Sequence, residues 1–295
     1  MMNTIIKKNG EKQHKFSDLS SHLELRDYLI KKANRLNNTA DGMKKYMCHY
    51  TDLTAAIGII KGKMWYIGSP FNMNDGLELS HGDNAIWKSV FFASFMLEPK
   101  ESIAMWSMYA QPWNKGVMLR IPVEQFKKLA KENPRVFVAD KRTKKANRDK
   151  QIYDARVSSC AVAYTNADSK SKIETETLMC GNEINQNIFN VLESNQLVGY
   201  IKDSAWSYEN EYRLRVDTAL NKEYEAVAIE LSNDFIDSIE IVSGPRFEGE
   251  LLQRIEEEIG NMVAETRVRK SIFDKKLNWV YCDSCKKSKI DNVIE

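Results

Sequence analysis

The chain has 295 residues, with 43 Lys and Arg against 41 Asp and Glu, for a formal net charge of +2. At roughly 150 residues per domain the length suggests about two domains, or one large domain with appendages. With 43% apolar and 28% charged residues the composition is that of a globular protein, not of a disordered or low-complexity chain. No apolar run is long enough to span a bilayer, and residues 1–15 are polar and basic without an apolar leader segment, so a cytoplasmic protein with no membrane partner is expected. The five cysteines, at 48, 160, 180, 282 and 285, are odd in number and scattered, which favours reduced thiols over a disulfide framework.

In chain order, Ser21-His22-Leu23-Glu24 has capping-box spacing and opens a helix marked by Leu25, Tyr28, Leu29, Ala33 and Leu36. Residues 1–43 are therefore read as an N-terminal helical extension. Lys45–Thr51 reads as a strand, Asp52–Lys61 as a helix with Leu53, Ala56, Ile57 and Ile60 on one face, and Lys63–Ile67 as a second strand. A turn-rich stretch, Ser69–Gly76, follows. Strand Ser89–Phe95, helix Glu101–Ala110 and strand Gly116–Ile121 then alternate at short spacing, which points to mixed α and β structure.

Asp140–Asp149 has little apolar periodicity and reads as an exposed loop or surface helix end, and Asn166–Ile173 as a second polar interruption. A helix is expected over Asn182–Asn195, strands over Glu211–Val216, Ala226–Leu231 and Ser238–Val242, and a helix over Phe247–Met262. The domain reading is 1–43 as the extension, 44–262 as the main domain and 263–295 as a basic tail.

The near-neutral total hides opposite blocks. Residues 123–150 hold ten Lys or Arg against four acids, and residues 217–260 hold twelve acids against three bases. Solvated faces are the plain explanation of such runs. The sharper one is a molecule whose basic stretch approaches a polyanion.

Residues with chemical potential gather in Cys48-His49-Tyr50-Thr51, in Met64-Trp65-Tyr66-Ile67 and in Trp206-Ser207-Tyr208-Glu209-Asn210-Glu211-Tyr212-Arg213. Strand residues two apart share a face, so Glu209 and Glu211 should emerge side by side, as should His49 and Thr51. Paired carboxylates suit the stabilisation of a developing cation or the uptake of a proton. A simple Glu211–Arg213 ion pair on an exposed strand is the competing explanation. Cys48 and His49 are adjacent and so face opposite ways, which argues against a Cys–His dyad. Cys282-x-x-Cys285 is half of a zinc site, and no complete metal-ligand set is evident. A dinucleotide Gly-x-Gly-x-x-Gly fingerprint is absent, so any NAD site would not be of the Rossmann kind.

Six motifs in order carry a resemblance: His49–Thr51, Trp65–Asp75, Phe91–Phe95, Met105–Ala110, Lys115–Val117 and Trp206–Arg213. Over roughly residues 44–245 they resemble the bacterial family known as domain of unknown function 2971, whose layout is in turn similar to that of ADP-ribosyltransferases. The resemblance implies an α+β fold with split antiparallel β-sheets around a cleft, flanked by helices. It implies that NAD is the substrate, bound by His49, Tyr50, Thr51, Tyr66, Asn72 and Ser94. In that scheme Tyr66 stacks on nicotinamide, Ser94 matches a strand serine, Glu211 stabilises the oxocarbenium-like charge as the glycosidic bond breaks, and Glu209 activates the acceptor.

Asn72 is equally well explained by turn formation, and Trp106 and Tyr109 by core packing. The leading expectation is a mono-ADP-ribosyltransferase of toxin-like or anti-phage type. Its acceptor would be nucleic acid held by the basic stretch 141–150, and an antitoxin or chaperone would be its protein partner. NAD glycohydrolysis, a non-catalytic nucleic-acid- or protein-binding module, and a ribonuclease using His49 are the alternatives.

Overall fold

A computed structural model describes residues 46–72, 88–97, 101–165, 201–219 and 224–274, together with the short strands Ile5–Ile6, Lys12–Gln13, Trp279–Cys282 and Lys287–Ile290. The expected helix near the N-terminus, the loop at Asn74 and Asp75, the stretch 166–173, the helix over 182–195, Cys180 and Cys285 lie outside the described residues.

The elements in order are β1 (Tyr46–Asp52), α1 (Leu53–Gly62), β2 (Met64–Gly68), β3 (Val90–Leu97), α2 (Ile103–Tyr109), β4 (Gly116–Pro122), α3 (Val123–Glu132), β5 (Val136–Ala139), β6 (Ala146–Gln151), β7 (Arg156–Ala161), β8 (Ala163–Thr165), β9 (Ile201–Asp203), β10 (Glu211–Asp217), β11 (Ala226–Glu230), α4 (Asn233–Asp237), β12 (Glu240–Ser243), α5 (Leu251–Ile259) and β13 (Val268–Lys270). Antiparallel pairing dominates, while β8–β9 and β12–β13 are parallel. The protein is thus a mixed α+β chain with two main sheets and several helices. No helix among the described residues is long and apolar enough to cross a membrane.

The chain divides into two compact units, each assembled from separate stretches. One, here the Trp106 unit, comprises Lys45–Trp65, Glu98–Gln125 and Glu230–Glu295. Its strands run in the order β13-β12-β4-β1. The β1–β4 ladder extends from Tyr46 opposite Pro122 to Asp52 opposite Gly116. Val117, Met118, Leu119 and Ile121 are all buried, so β4 is covered on both faces and reads as a continuous apolar run. Helix α1 starts where the Asp52 carboxylate accepts from Ala55 N at 3.0 Å, buries Leu53, Ala56, Ile57 and Ile60 on one face, and stops at Lys63, which is left-handed with φ 50°.

Helix α2 is capped by Ser102, whose Oγ accepts from Met105 N at 3.3 Å, and its Trp106 is 1% exposed. The Trp106 ring meets Tyr50 edge-on at 4.9 Å, and its Nε1 donates to Glu101 Oε2 at 3.1 Å. Two glycines permit this packing. A Cβ on Gly116 would lie 2.5 Å from the Ala110 carbonyl oxygen, and one on Gly244 would lie 2.9 Å from the Gly116 oxygen and 3.2 Å from the Trp106 ring.

The other, the Glu211 unit, includes Tyr66–Leu97 and Phe126–Ile229. It holds the strand run β3-β10-β7, the sheet β2-β11-β5-β6 and the β8–β9 pair. On one face of β10, Tyr212 packs near Phe126, which also meets Phe95 at 4.6 Å.

Three local expectations are corrected. Asp140–Asp149 is a loop only at its start, because Ala146–Gln151 is a strand paired with β5. Its polar sequence lacks apolar periodicity because the strand is an exposed edge. The helix expected over 247–262 is α-helical only over Leu251–Ile259, since Gly260, at φ 59°, breaks it into a 3-10 turn. Val268–Lys270, inside the stretch read as a tail, pairs with β12.

Candidate functional site

The segment before β10 departs from the expected strand. Asp203 caps a 3-10 turn, Ser204–Glu209, by accepting from Ala205 N at 2.8 Å. Asn210 then turns left-handed at φ 41°, and the strand begins at Glu211. Glu209 and Glu211 are therefore not two positions on one strand face. They nevertheless meet at a common cation: Lys202 Nζ lies 2.6 Å from Glu209 Oε2 and 3.2 Å from Glu211 Oε2. The Lys202 ammonium also sits 4.7 Å from the centre of the Trp206 ring.

From Glu211 onward the strand alternates Glu211, Arg213, Arg215 and Asp217 on one face with Tyr212, Leu214 and Val216 on the other. Both faces are buried, so the charges must pair within the protein. Arg213 Nε donates to Glu211 Oε1 at 2.6 Å and Arg213 Nη2 to Glu211 Oε2 at 3.2 Å. Arg215 Nε donates to Asp217 Oδ1 at 2.9 Å.

On the neighbouring strand, Ser94 stands opposite Arg213, diagonal to Glu211, and its Oγ donates to Glu211 Oε1 at 2.5 Å. Phe92 lies between the two guanidiniums, 5.1 Å from Arg213 and 5.9 Å from Arg215. The Tyr164 hydroxyl accepts from Glu211 N at 2.7 Å.

Electrostatics follow from this arrangement. Burial by itself raises the Glu211 carboxyl, but the charges of Arg213 and Lys202 and the hydrogen bonds from Arg213 and Ser94 outweigh it and hold the group at about 2. For Lys202, burial favours the neutral amine, yet the carboxylates of Glu211 and Glu209 prevail and raise it above its ordinary value. Burial, reinforced by the Glu211 charge, pushes the Tyr164 phenol up. The cluster of Glu209, Glu211, Lys202 and Arg213 thus sets two acidic side chains against two basic ones. Glu211 is only 2% exposed.

The other candidates are distributed as follows. His49, Tyr50 and Thr51 lie on β1 of the Trp106 unit, whereas Tyr66, Asn72, Ser94, Glu209 and Glu211 belong to the Glu211 unit. His49 and Thr51 are half-buried and share a face, and the His49 ring meets Trp65 edge-on at 5.1 Å. Cys48, on the opposite face, is buried and is not part of a disulfide.

Tyr50 is buried, its hydroxyl accepting from Ser102 N at 3.1 Å. Tyr66 is half-buried on β2. Burial and then the carboxylates of Asp140 and Glu225 raise its phenol, and neither carboxylate belongs to the Glu211 cluster. Asn72 closes the 3-10 turn Pro70–Asn72. Among the described residues, no group of three or more His, Cys, Asp or Glu is arranged to hold a metal ion.

Three residues in or beside the cluster escaped the sequence reading. Lys202 sits in a three-residue strand with no pattern of its own. Tyr164 lies just ahead of a long polar stretch. Arg215 was visible only as part of the period-two charge alternation in β10.

Fold and site define an α+β protein built around a buried ionic cluster on a sheet. Residues 105–214, less than half of the chain, match the model of a family described as Protein of unknown function (DUF2971). That match supports the family resemblance drawn from the motifs at 105–110, 115–117 and 206–213, and the motifs before residue 105 fall outside it. No curated protein and no solved structure matches the chain.

Proposed function

We propose that this protein consumes NAD as a mono-ADP-ribosyltransferase, with Glu211 as the carboxylate presented to the nicotinamide ribose. The observation that carries the reading is the 2.5 Å hydrogen bond from Ser94 Oγ to Glu211 Oε1, which joins the strand serine and the late glutamate of the resemblance on adjacent strands. In this reaction the bond between the nicotinamide nitrogen and ribose C1′ breaks, and its electron pair leaves with nicotinamide. Glu211, ionised throughout the neutral range, stabilises the positive charge left on the ribose. The acceptor attacks C1′ and yields its proton to Glu209. Toxin-like or anti-phage action, a nucleic-acid acceptor at the basic stretch 141–150, and an antitoxin or chaperone at the acidic block 217–260 complete the reading.

A second reading is favoured by a specific observation. Glu211 is 2% exposed and receives bonds from Ser94, Arg213 and Lys202 on both oxygens, as befits a structural ion cluster in a non-catalytic binding module.

Titration with millimolar NAD separates the two: a rise in unfolding temperature is expected of an NAD site, and none is expected of the module. With labelled NAD, transfer fixes label to a macromolecule, while glycohydrolysis releases free ADP-ribose. NAD consumption that survives Glu211→Gln in folded protein would refute the catalytic reading. Ser94→Ala, which leaves all charges in place, should lower the rate without abolishing it.

A further inference from the structure

The β5–β6 hairpin presents a surface that the Glu211 cluster does not use. Between residues 135 and 156 there are eight Lys or Arg against three Asp, and all eight cations are exposed. Of the acids, Asp140 serves the turn itself: its Oδ1 accepts from Arg142 N at 2.9 Å and from Thr143 N at 2.7 Å. Those hydrogen bonds hold its carboxyl below the ordinary value.

Strand β6 is the last in its sheet, so its outer edge carries no further strand among the described residues. Phe137 pairs with Gln151 and Ala139 with Ala146, and the register shifts between them. Strand β6 therefore takes five steps where β5 takes two, and the surplus, which includes Arg148 and Lys150, bulges away from the ladder. Ile152 is buried and donates its N–H to the Val136 carbonyl at 2.8 Å, which anchors the strand's end. The next residue, Tyr153, is 86% exposed, with Lys150 and Arg156 three residues to either side.

Charge on an edge strand commonly blocks unwanted pairing, and one or two lysines are enough for that. Eight exposed cations, an outward bulge and a bare aromatic ring exceed the need. Anionic lipid would use the cations and can accept an interfacial tyrosine, but Tyr153 has no second exposed large apolar side chain within residues 135–156 to enter the acyl layer with it. An unpaired base, by contrast, offers a π-face to stack on it.

We propose that the β5–β6 hairpin and the Tyr153 turn form a binding surface for single-stranded nucleic acid, in which the cations follow the phosphates and Tyr153 stacks on a base. As an acceptor site this rests on the reading above. As a binding surface it stands without it, and its test contains no NAD, so the two fail separately.

The test measures fluorescence anisotropy of labelled oligo-thymidine and oligo-uridine of about 20 nucleotides, and of a duplex of equal length, with the full chain over a salt series. Single strands should bind at least about tenfold tighter than duplex, with log affinity falling linearly in log salt. The paired reversals Lys144→Glu with Lys145→Glu, and Arg148→Glu with Lys150→Glu, should each weaken binding more than about tenfold and flatten the salt slope, with no change in unfolding temperature. Tyr153→Ala should weaken single-strand binding roughly 5- to 100-fold and leave the salt slope unchanged. Lys61→Glu, on α1, should leave binding unchanged. Equal affinity for duplex with a silent Tyr153→Ala, binding to phosphatidylserine vesicles without binding to oligonucleotides, or no oligonucleotide binding at about 50 mM salt would each overturn the proposal.

Discussion

The surroundings of Trp106 and of Glu211 solve the same problem, the burial of demanding side chains in a sheet protein, by opposite means. Around Trp106 the fit is steric: an indole against the Tyr50 ring, with Gly116 and Gly244 reduced to hydrogen so that backbones can approach. Around Glu211 the fit is electrostatic: two acidic side chains are set against two basic ones, and a serine fills the remaining lone pair. Motifs belonging to one resemblance thus have two physical explanations. The Met105–Ala110 and Lys115–Val117 pieces are explained by packing alone, without recourse to catalysis. The Trp206–Arg213 piece is where chemistry has room to enter.

Removing one member from each region should give the largest effects and tell the regions apart by pH. Trp106→Ala empties a ring-sized volume and should cost about 3–5 kcal/mol in urea unfolding, equally at pH 7 and pH 4. Arg213→Met strands the Glu211 charge and should cost a similar roughly 3–5 kcal/mol at pH 7. That loss should shrink at pH 4, where Glu211 can take a proton. An equal loss at both pH values would show that Arg213 acts by packing.

Next in size is the acid sensitivity of the unaltered protein. The Glu211 carboxyl falls from an ordinary 4.5 to about 2 on folding, so the unfolded chain takes up the proton first. Its contribution is complete above about pH 4.5 and is lost as the pH falls towards 2, worth roughly 3 kcal/mol in all. Glu211→Gln should remove that part of the slope, and parallel stability curves for the two proteins between pH 5 and pH 2.5 would refute the assignment.

Gly116→Ala should follow, at about 1–3 kcal/mol without pH dependence, because the obstructing atom is a backbone oxygen that cannot swing aside. Smallest is Lys128→Ala. The Lys128–Glu132 pair spans 3.8 Å on an open helix face, and thermal unfolding should move by less than about 0.5 kcal/mol.

Much of this was legible in the sequence because burial imposes a period. The apolar runs of β3 and β4, the one-sided helix α1 and the strands β10 and β11 announce themselves by which positions are apolar. Strand β6 did not, since an edge strand of Ala-Asn-Arg-Asp-Lys-Gln buries almost nothing and leaves no period to read.

The site was legible in part. Glu209, Glu211 and Arg213 were singled out, but period-two charge in β10 reads as a solvent face, and only the fold shows that both faces are covered. Lys202 was hidden for a different reason. A single lysine nine residues from Glu211 has no local signature, and its importance comes from where the chain returns. The Glu209–Glu211 geometry was misjudged because one backbone conformation, at Asn210, lay between them.

That residue has a consequence of its own. Asn210 accepts from Leu97 N at 2.8 Å through its main-chain carbonyl, and its side-chain amide donates to the Leu97 oxygen, so both backbone groups at the end of β3 are taken up by one residue. Had position 210 been extended, the two glutamates would project in parallel about 7 Å apart along the strand, each needing its own counter-ion. The left-handed turn bends that separation into a pincer on a single ammonium. The handedness of one peptide unit thereby decides that the two carboxylates share a cation instead of standing apart.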